Sequence, residues 1–390
     1  PSTKSLFTGQ YYPWKGEMKL PEEGPATLAE LFQAAGYRTG IFTGNGNISP
    51  QAGNIRGFET FARRRAGVPL RSAYHDDSEK VHPVALDWVD GLDPGDKVFI
   101  YLHVVHPHAP YAPPEPFLGE YTRGHEDSTI SGSKDTLKFF QRQGSQLASP
   151  ADRRRIKSLY RASLAYSDHH LGRFLDGLRQ RYPEREILTV VTSDHGEELF
   201  DHQGVLHGDS LYQHQLRVPL IVHWPERLEP RRLEGDLLTD TIDVHQTLRD
   251  LLGEGPGPHL GEGRSLWPIL SGLSSEPVKD VSFASKPGST YFYFAARSRR
   301  YKLIWAPRDG EGAGMGSSTA RTYDLEYVFD LQEDPQERVN LAGETPLEVE
   351  WLRSRLHGWL TRAESLETGE EITGLDEETL AILKALGYVD

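Results

Sequence analysis

Short β-branched runs separated by amphipathic stretches constrain this chain most strongly, because that alternation builds a helix-covered, largely parallel sheet. Residues 26–36 (ATLAELFQAAG) carry apolar side chains at helical spacing and stop at a glycine; residues 38–44 then read as a short buried strand. Residues 84–92 read as a helix ending before the Asp93-Pro94-Gly95 turn, and residues 97–105 (KVFIYLHVV) as a core strand. Residues 152–181 form a long amphipathic stretch of one or two helices. Residues 187–193 and 218–224 read as further core strands, and residues 241–252 as a helix closed by Gly253. Beyond residue 275 the pattern changes: residues 290–307 and 321–331 read as strands flanking a glycine-rich loop at 308–318, and residues 348–362 as a helix. The expected fold class is α/β, with residues 1–274 as the main domain and residues 275–390 as a smaller α+β subdomain.

Composition removes several functions. The 390 residues hold 43 Lys and Arg against 57 Asp and Glu, a formal charge of −14. No nucleic-acid partner is expected, since phosphate binding needs a positive surface. The apolar runs stay far below the about 20 residues needed to span a bilayer, so no membrane span is expected. There is no Cys, hence no disulfide framework, thiolate metal site or cysteine nucleophile within these residues. Nor is there an H-E-x-x-H metalloprotease motif.

Three segments carry chemistry. Asp194 and His195, in Thr192-Ser193-Asp194-His195-Gly196-Glu197-Glu198, follow a buried strand, the position where open α/β sheets place ligand sites. They offer one hard oxygen and one imidazole to a divalent cation. Glu197 and Glu198 are expected to cap the following turn, or one of them to orient His195. His103, His106 and His108 follow a second strand, in a loop stiffened by Pro107, Pro110, Pro113 and Pro114. A held imidazole there suits proton transfer or anion binding. The opening segment, Pro1 to Gly9 (PSTKSLFTG), has the small hydroxylated residues of a helix start but by itself reads better as a frayed end.

Taken together, these segments resemble the sulfatase family of the alkaline-phosphatase superfamily. Pro1-Ser2 and Thr8-Gly9 fall in register with the family's nucleophile motif, C/S/T-x-P-S-R followed by T-G. Ala35-Gly36-Tyr37-Arg38-Thr39 looks like its helix-to-strand junction, and His106-Pro107-His108-Ala109-Pro110-Tyr111 like its "DPHAPY" loop. Thr192 to Gly196, His207-Gly208, Ser210-Leu211-Tyr212 and Arg217-Val218-Pro219-Leu220-Ile221 look like its "SDHGE…GHG.SLY…RVPLI" block. Ile242-Asp243, Lys302-Leu303-Ile304, Tyr323-Asp324-Leu325, Asp334-Pro335, Asn340-Leu341 and Leu386-Gly387-Tyr388 continue the likeness to the end.

The resemblance implies an alkaline-phosphatase-like sandwich and a metal-dependent hydrolase of sulfate esters. It implies metal ligation by Asp194 and His195, substrate contact by His108, and leaving-group stabilisation or general acid catalysis by His207. Asn45 and Asn47 fall where many relatives place Lys and His, and Thr3 where they place Arg, so all three are candidate substrate contacts. The register puts the nucleophile two residues before Pro1, so none is expected in the chain and the chain alone is expected to be inactive. It also puts the first metal-binding strand upstream. Ca²⁺ is the first expectation for the metal, with Mn²⁺ or Zn²⁺ suited by His195. The expected substrate is an anionic small-molecule, glycan or lipid ester, and the family favours a periplasmic or secreted location. Thr3, Asn45 with Asn47, and the Asp-His pair depart from the formylglycine pattern. They keep two alternatives open: a phosphomonoester, phosphodiester or phosphonate hydrolase with an unmodified Thr or Ser nucleophile, and an inactive anion-binding relative.

Overall fold

The computed structural model describes residues 2–11, 20, 24–45, 47–50, 53–63, 77–233, 237–255, 263–287, 292–306, 325–343 and 346–368. The glycine-rich loop at 308–318, Tyr323-Asp324 and Leu386-Gly387-Tyr388 lie outside the described residues. In chain order the elements are α1 (Ser2–Thr8), α2 (Leu28–Ala34), β1 (Tyr37–Thr43), β2 (Thr60–Arg63), α3 (Asp77–Asp90), β3 (Lys97–His103), α4 (Phe117–Thr122) and α5 (Lys134–Gln143). Next come α6 (Pro150–Arg181), β4 (Thr189–Thr192), β5 (Glu198–Leu199), β6 (Val205–Leu206), α7 (Gln213–Leu216), β7 (Leu220–His223), α8 (Thr241–Leu251) and α9 (Trp267–Leu270). The C-terminal part holds β8 (Ser282–Pro287), β9 (Phe292–Arg297), β10 (Tyr301–Ala306), β11 (Leu325–Asp330) and α10 (Leu347–Thr368).

β1 lies between β2 and β3, parallel to both. Helices cover this sheet: α2 and α8 pack Leu28, Phe32, Val244 and Leu248 against Ile41, while α3 and α6 pack Val81, Ala85, Phe174 and Leu178 against Phe42. At about 25 cal/mol per Å² of buried apolar surface, such clusters are the main stabilising term. The long stretch at 150–181 is one helix of 32 residues. Ser149 and Asp152 form a capping box at its start, and Pro150 occupies a first-turn position whose N–H has no helical partner.

Three expectations are corrected. The opening segment is not frayed: α1 buries Leu6 and Phe7, and Gly9 ends it at φ +68°. A β-carbon on Gly9 would sit 2.5 Å from His245 Nδ1, so glycine is needed there for space as well as for its backbone angle. The helix expected from residue 84 begins at Asp77 and runs through Pro83. Sequence reasoning starts it after the proline because the ring removes a helical donor, yet burial of Val81 and Ala85 holds the turn. The strand expected over 290–307 is a β9–β10 hairpin, broken where Ser298 Oγ accepts from the Arg300 and Tyr301 N–H groups. The expected α/β class with a parallel sheet holds; β4 and β7 pair antiparallel in a separate two-stranded ladder.

The C-terminal sheet runs β11-β10-β9-β8 and is wholly antiparallel. Trp351, Leu352, Leu356 and Trp359 of α10 cover one face, packing on Phe283, Phe294 and Leu303. Its other face meets Leu211 and Tyr212, the segment that follows His207. Lys302, fully buried, bonds Glu337 at 2.5 Å, and Glu337 in turn accepts from the Gln213 N–H at the start of α7.

Candidate active site

The ends of β1, β3 and β4 and the β5–β6 hairpin meet at one cleft. It has room for about 100 Å³ and is lined by Asn45, His103, His106, His108, Tyr160 and the Ser193–Glu197 turn, among others. Ligand sites of α/β sheets form outside the carboxyl ends of their strands, and this cleft follows that rule.

Beyond β4, the Ser193 hydroxyl donates to the His195 carbonyl at 2.7 Å and the His195 N–H donates to Asp194 Oδ1 at 3.1 Å. The His195 ring donates from Nδ1 to the Gly196 carbonyl at 2.8 Å, which leaves the lone pair on Nε2. That nitrogen lies 3.7 Å from Asp194 Oδ1. The Gly196 N–H reaches the Gln215 carbonyl at 2.8 Å, and a β-carbon on Gly196 would lie 2.1 Å from the His214 carbonyl. A carboxylate oxygen and an imidazole lone pair converge here, and this donor set fits a divalent cation. Among the described residues no cluster of three or more His, Cys, Asp or Glu side chains is arranged to hold a metal ion.

His207 sits over this pair, its ring centroid 4.0 Å from that of His195 and 5.0 Å from that of His108. Its Nδ1 donates to Glu197 Oε1 at 2.9 Å. Burial opposes the charged imidazolium, but the Glu197 hydrogen bond and charge, with Asp194 and Asp209, outweigh it and raise the His207 pKa. His108 donates from Nδ1 to the Ala109 carbonyl at 2.7 Å. Burial holds its pKa below the usual histidine value, against the pull of that carbonyl. Glu197 therefore orients His207, not His195. Glu198 is buried at the far side of the turn, 3.2 Å from His214 Nε2, and accepts from the N–H groups of His202 and Gly204.

Of the candidate substrate contacts, Asn45 lines the cleft and meets His103 Nε2 at 3.0 Å. Asn47 is exposed, outside the cleft lining, and its N–H donates to Asn45 Oδ1 at 2.9 Å. Thr3, on α1, reaches the cleft only at second hand: its side chain bonds Tyr101, whose hydroxyl meets His103 Nδ1 at 3.1 Å. Sequence reasoning grouped His103 with the imidazoles of the proline-rich loop and gave it no role of its own. Its buried ring lies between Asn45 and Tyr101, and burial lowers its pKa against the attraction of Asp194. Its place as the last residue of β3 is the signal that marks it.

Comparison with known proteins agrees with this architecture. The Sulfatase family model matches residues 1–254, and the model of the N-sulphoglucosamine sulphohydrolase C-terminal region matches residues 201–365. The chain belongs to the sulfatase family, whose members are in general metal-dependent. It is 23% identical over 301 residues to an arylsulfatase of Clostridium perfringens, covering 71% of this chain and 58% of that protein. It is 26% identical over 370 residues to a Delta 4,5-hexuronate-2-O-sulfatase of Bacteroides thetaiotaomicron, covering 83% and 68%. Among solved structures, a protein in complex with its substrate D-glucosamine-2-N,6-O-disulfate superposes with a TM-score of 0.66 at 16% identity, covering 94% of this chain and 88% of that one. A phosphonate monoester hydrolase of Silicibacter pomeroyi gives 0.64 at 21%, covering 94% and 85%. These likenesses show the alkaline-phosphatase-like fold. The chain spans little more than half the length of the arylsulfatase, and 35% of the mouse steryl-sulfatase that it also resembles.

Proposed function

We propose that this chain forms the body of a metal-dependent hydrolase of sulfate esters, acting on a sulfated saccharide. The observation that carries the proposal is that Asp194, His195 and His108 line one cleft and His207 packs against the rings of both histidines, with the Nδ1 atom of each histidine fixed by a named acceptor. Asp194 and His195 would hold the metal, which when bound lowers a nucleophile's pKa and neutralises charge on the transferring group. His108 binds an oxygen of the sulfate group. His207, its Nδ1–H tied to Glu197, presents Nε2 to the leaving-group oxygen and gives it a proton. Asn45 contributes an amide at the cleft floor, while Thr3 and Asn47 act behind it. The saccharide assignment draws on the hexuronate sulfatase and the disulfated glucosamine complex among the similar proteins.

The nucleophile belongs, in this reading, to a strand–turn segment upstream of Ser2, placed there by the motif register. Residues 1–274 form the catalytic unit and 275–390 a subdomain that backs it. Ca²⁺ is the preferred metal, and a location outside the cytoplasm follows the family resemblance. Among the described residues no helix is long and apolar enough to cross a membrane.

His195 favours one second reading, phosphonate or phosphodiester hydrolysis, since an imidazole nitrogen is a softer ligand than an oxygen donor. The test is the complete reading frame, assayed with metals added against aryl sulfate, aryl phosphate, bis-aryl phosphate and aryl phosphonate. Aryl sulfate should dominate; faster phosphodiester or phosphonate turnover would replace the first reading with the second. His207→Ala should lower kcat most for poor leaving groups, and an equal loss for all would remove its role. Turnover by these 390 residues alone would refute the upstream nucleophile.

A further inference from the structure

The turn that carries His207 is held from outside the catalytic sheet. Gly208 follows it with φ +90°, in the left-handed region that favours glycine. Its N–H donates to Gln215 Oε1 at 2.9 Å, and its carbonyl accepts from Lys286 Nζ at 2.5 Å. Lys286 comes from β8 of the C-terminal sheet. It stands opposite Tyr293 in the β8–β9 register, and its ammonium lies 5.2 Å from the centre of that ring. It is half-buried, and burial lowers its pKa while the charge of Asp209 opposes the shift. Asp209 is tethered on its other side, accepting from Gln141 Nε2 of α5 at 2.7 Å.

A fully solvated lysine would be too loose to place anything, because its ordering entropy cancels a single contact. Here the cross-strand Tyr293 ring supports the ammonium and one carbonyl receives it, so the strand geometry of β8 fixes where Gly208 stands. We propose that Lys286 is a positioning residue for His207, through which the C-terminal sheet sets the approach of the imidazole to the leaving-group oxygen. This rests on the leaving-group role given to His207 above. Proton transfer needs heavy atoms within hydrogen-bond reach, and displacements on the order of 1 Å carry large rate penalties.

The experiment uses protein from the complete reading frame, as wild type, Lys286→Met and Lys286→Arg. Hydrogen exchange is followed across residues 204–212, and kcat and KM are measured for aryl sulfates of graded leaving-group pKa. Lys286→Met should speed exchange at Gly208 and Asp209. It should also lower kcat by about 10-fold for the poorest leaving groups, with little change for the best and KM within about 2-fold. Lys286→Arg, which keeps a cationic donor, should recover most of both effects. The His207→Ala/Lys286→Met double variant should lose no more than His207→Ala alone. Unchanged exchange in Lys286→Met overturns the inference. A leaving-group-independent loss in Lys286→Met beside a dependent one in His207→Ala does the same. A uniform loss in His207→Ala instead overturns the role of His207, and exchange alone then decides whether the brace exists. If Lys286→Met fails to fold, Tyr293→Leu removes the ring beneath the ammonium and is read in the same way.

Discussion

Glu197 Oε1 lies 2.9 Å from Nδ1 of His207, and the carboxylate is 5% exposed. A buried carboxylate on an imidazole fixes its tautomer, its rotation and its affinity for a proton at once. The pair joins two turns ten residues apart, so the turn that carries Asp194 and His195 also orients His207.

Glu197→Ala should therefore lower kcat by about 10–100-fold for poor leaving groups, the usual cost of losing an orienting partner. Glu197→Gln, which keeps an acceptor but loses the charge, should cost less. Steady-state kinetics on a graded aryl ester series separates them; equal losses in the two variants would mean that charge and not orientation matters.

Asp194 and His195 should carry metal-dependent stability. A saturating divalent cation at about 100 times its dissociation constant adds about 2.7 kcal/mol. Thermal unfolding with and without chelator reads this shift, and Asp194→Ala or His195→Ala should abolish most of it. A shift preserved in both variants would place the metal elsewhere.

Two buried histidines away from the cleft predict acid sensitivity. His82 stacks on Phe174 and faces His170; His245 lies beneath Gly9 and faces Arg249. Burial above all brings each pKa down to about 4 from 6.5. The folded pKa lies below the unfolded one, so the unfolded chain binds the extra protons. The stability present above pH 6.5 is lost as pH falls towards 4. Each histidine accounts for up to about 3 kcal/mol. Urea midpoints measured across this window should fall with acid, and His82→Phe should flatten the slope.

Gly196→Ala should be harmful for a steric reason. Its β-carbon would meet the His214 carbonyl at 2.1 Å, where the chain after β4 passes against the start of α7. Relief requires backbone movement, costing about 1–3 kcal/mol, and it shifts the turn that carries Asp194 and His195. Calorimetry and the metal-induced shift should both decline. A stable variant with an unchanged metal shift would show that the two segments can part freely.

The sequence by itself determined the strand–helix order, a long helical stretch over 152–181 and the placement of Asp194, His195 and His108 just past core strands. These are local properties, set by periodicity, capping and turn chemistry within a few residues. Tertiary structure alone decided which partner each group meets. Glu197 and Glu198 are neighbours of like chemistry, yet one turns to His207 and the other to His214, because successive residues near a strand point to opposite sides. The antiparallel pairing of β4 with β7, the place of His103 between Asn45 and Tyr101, and the reach of Lys286 to Gly208 depend on contacts between distant segments. No local pattern encodes such contacts, since they form only when separate hydrophobic faces close on a common core.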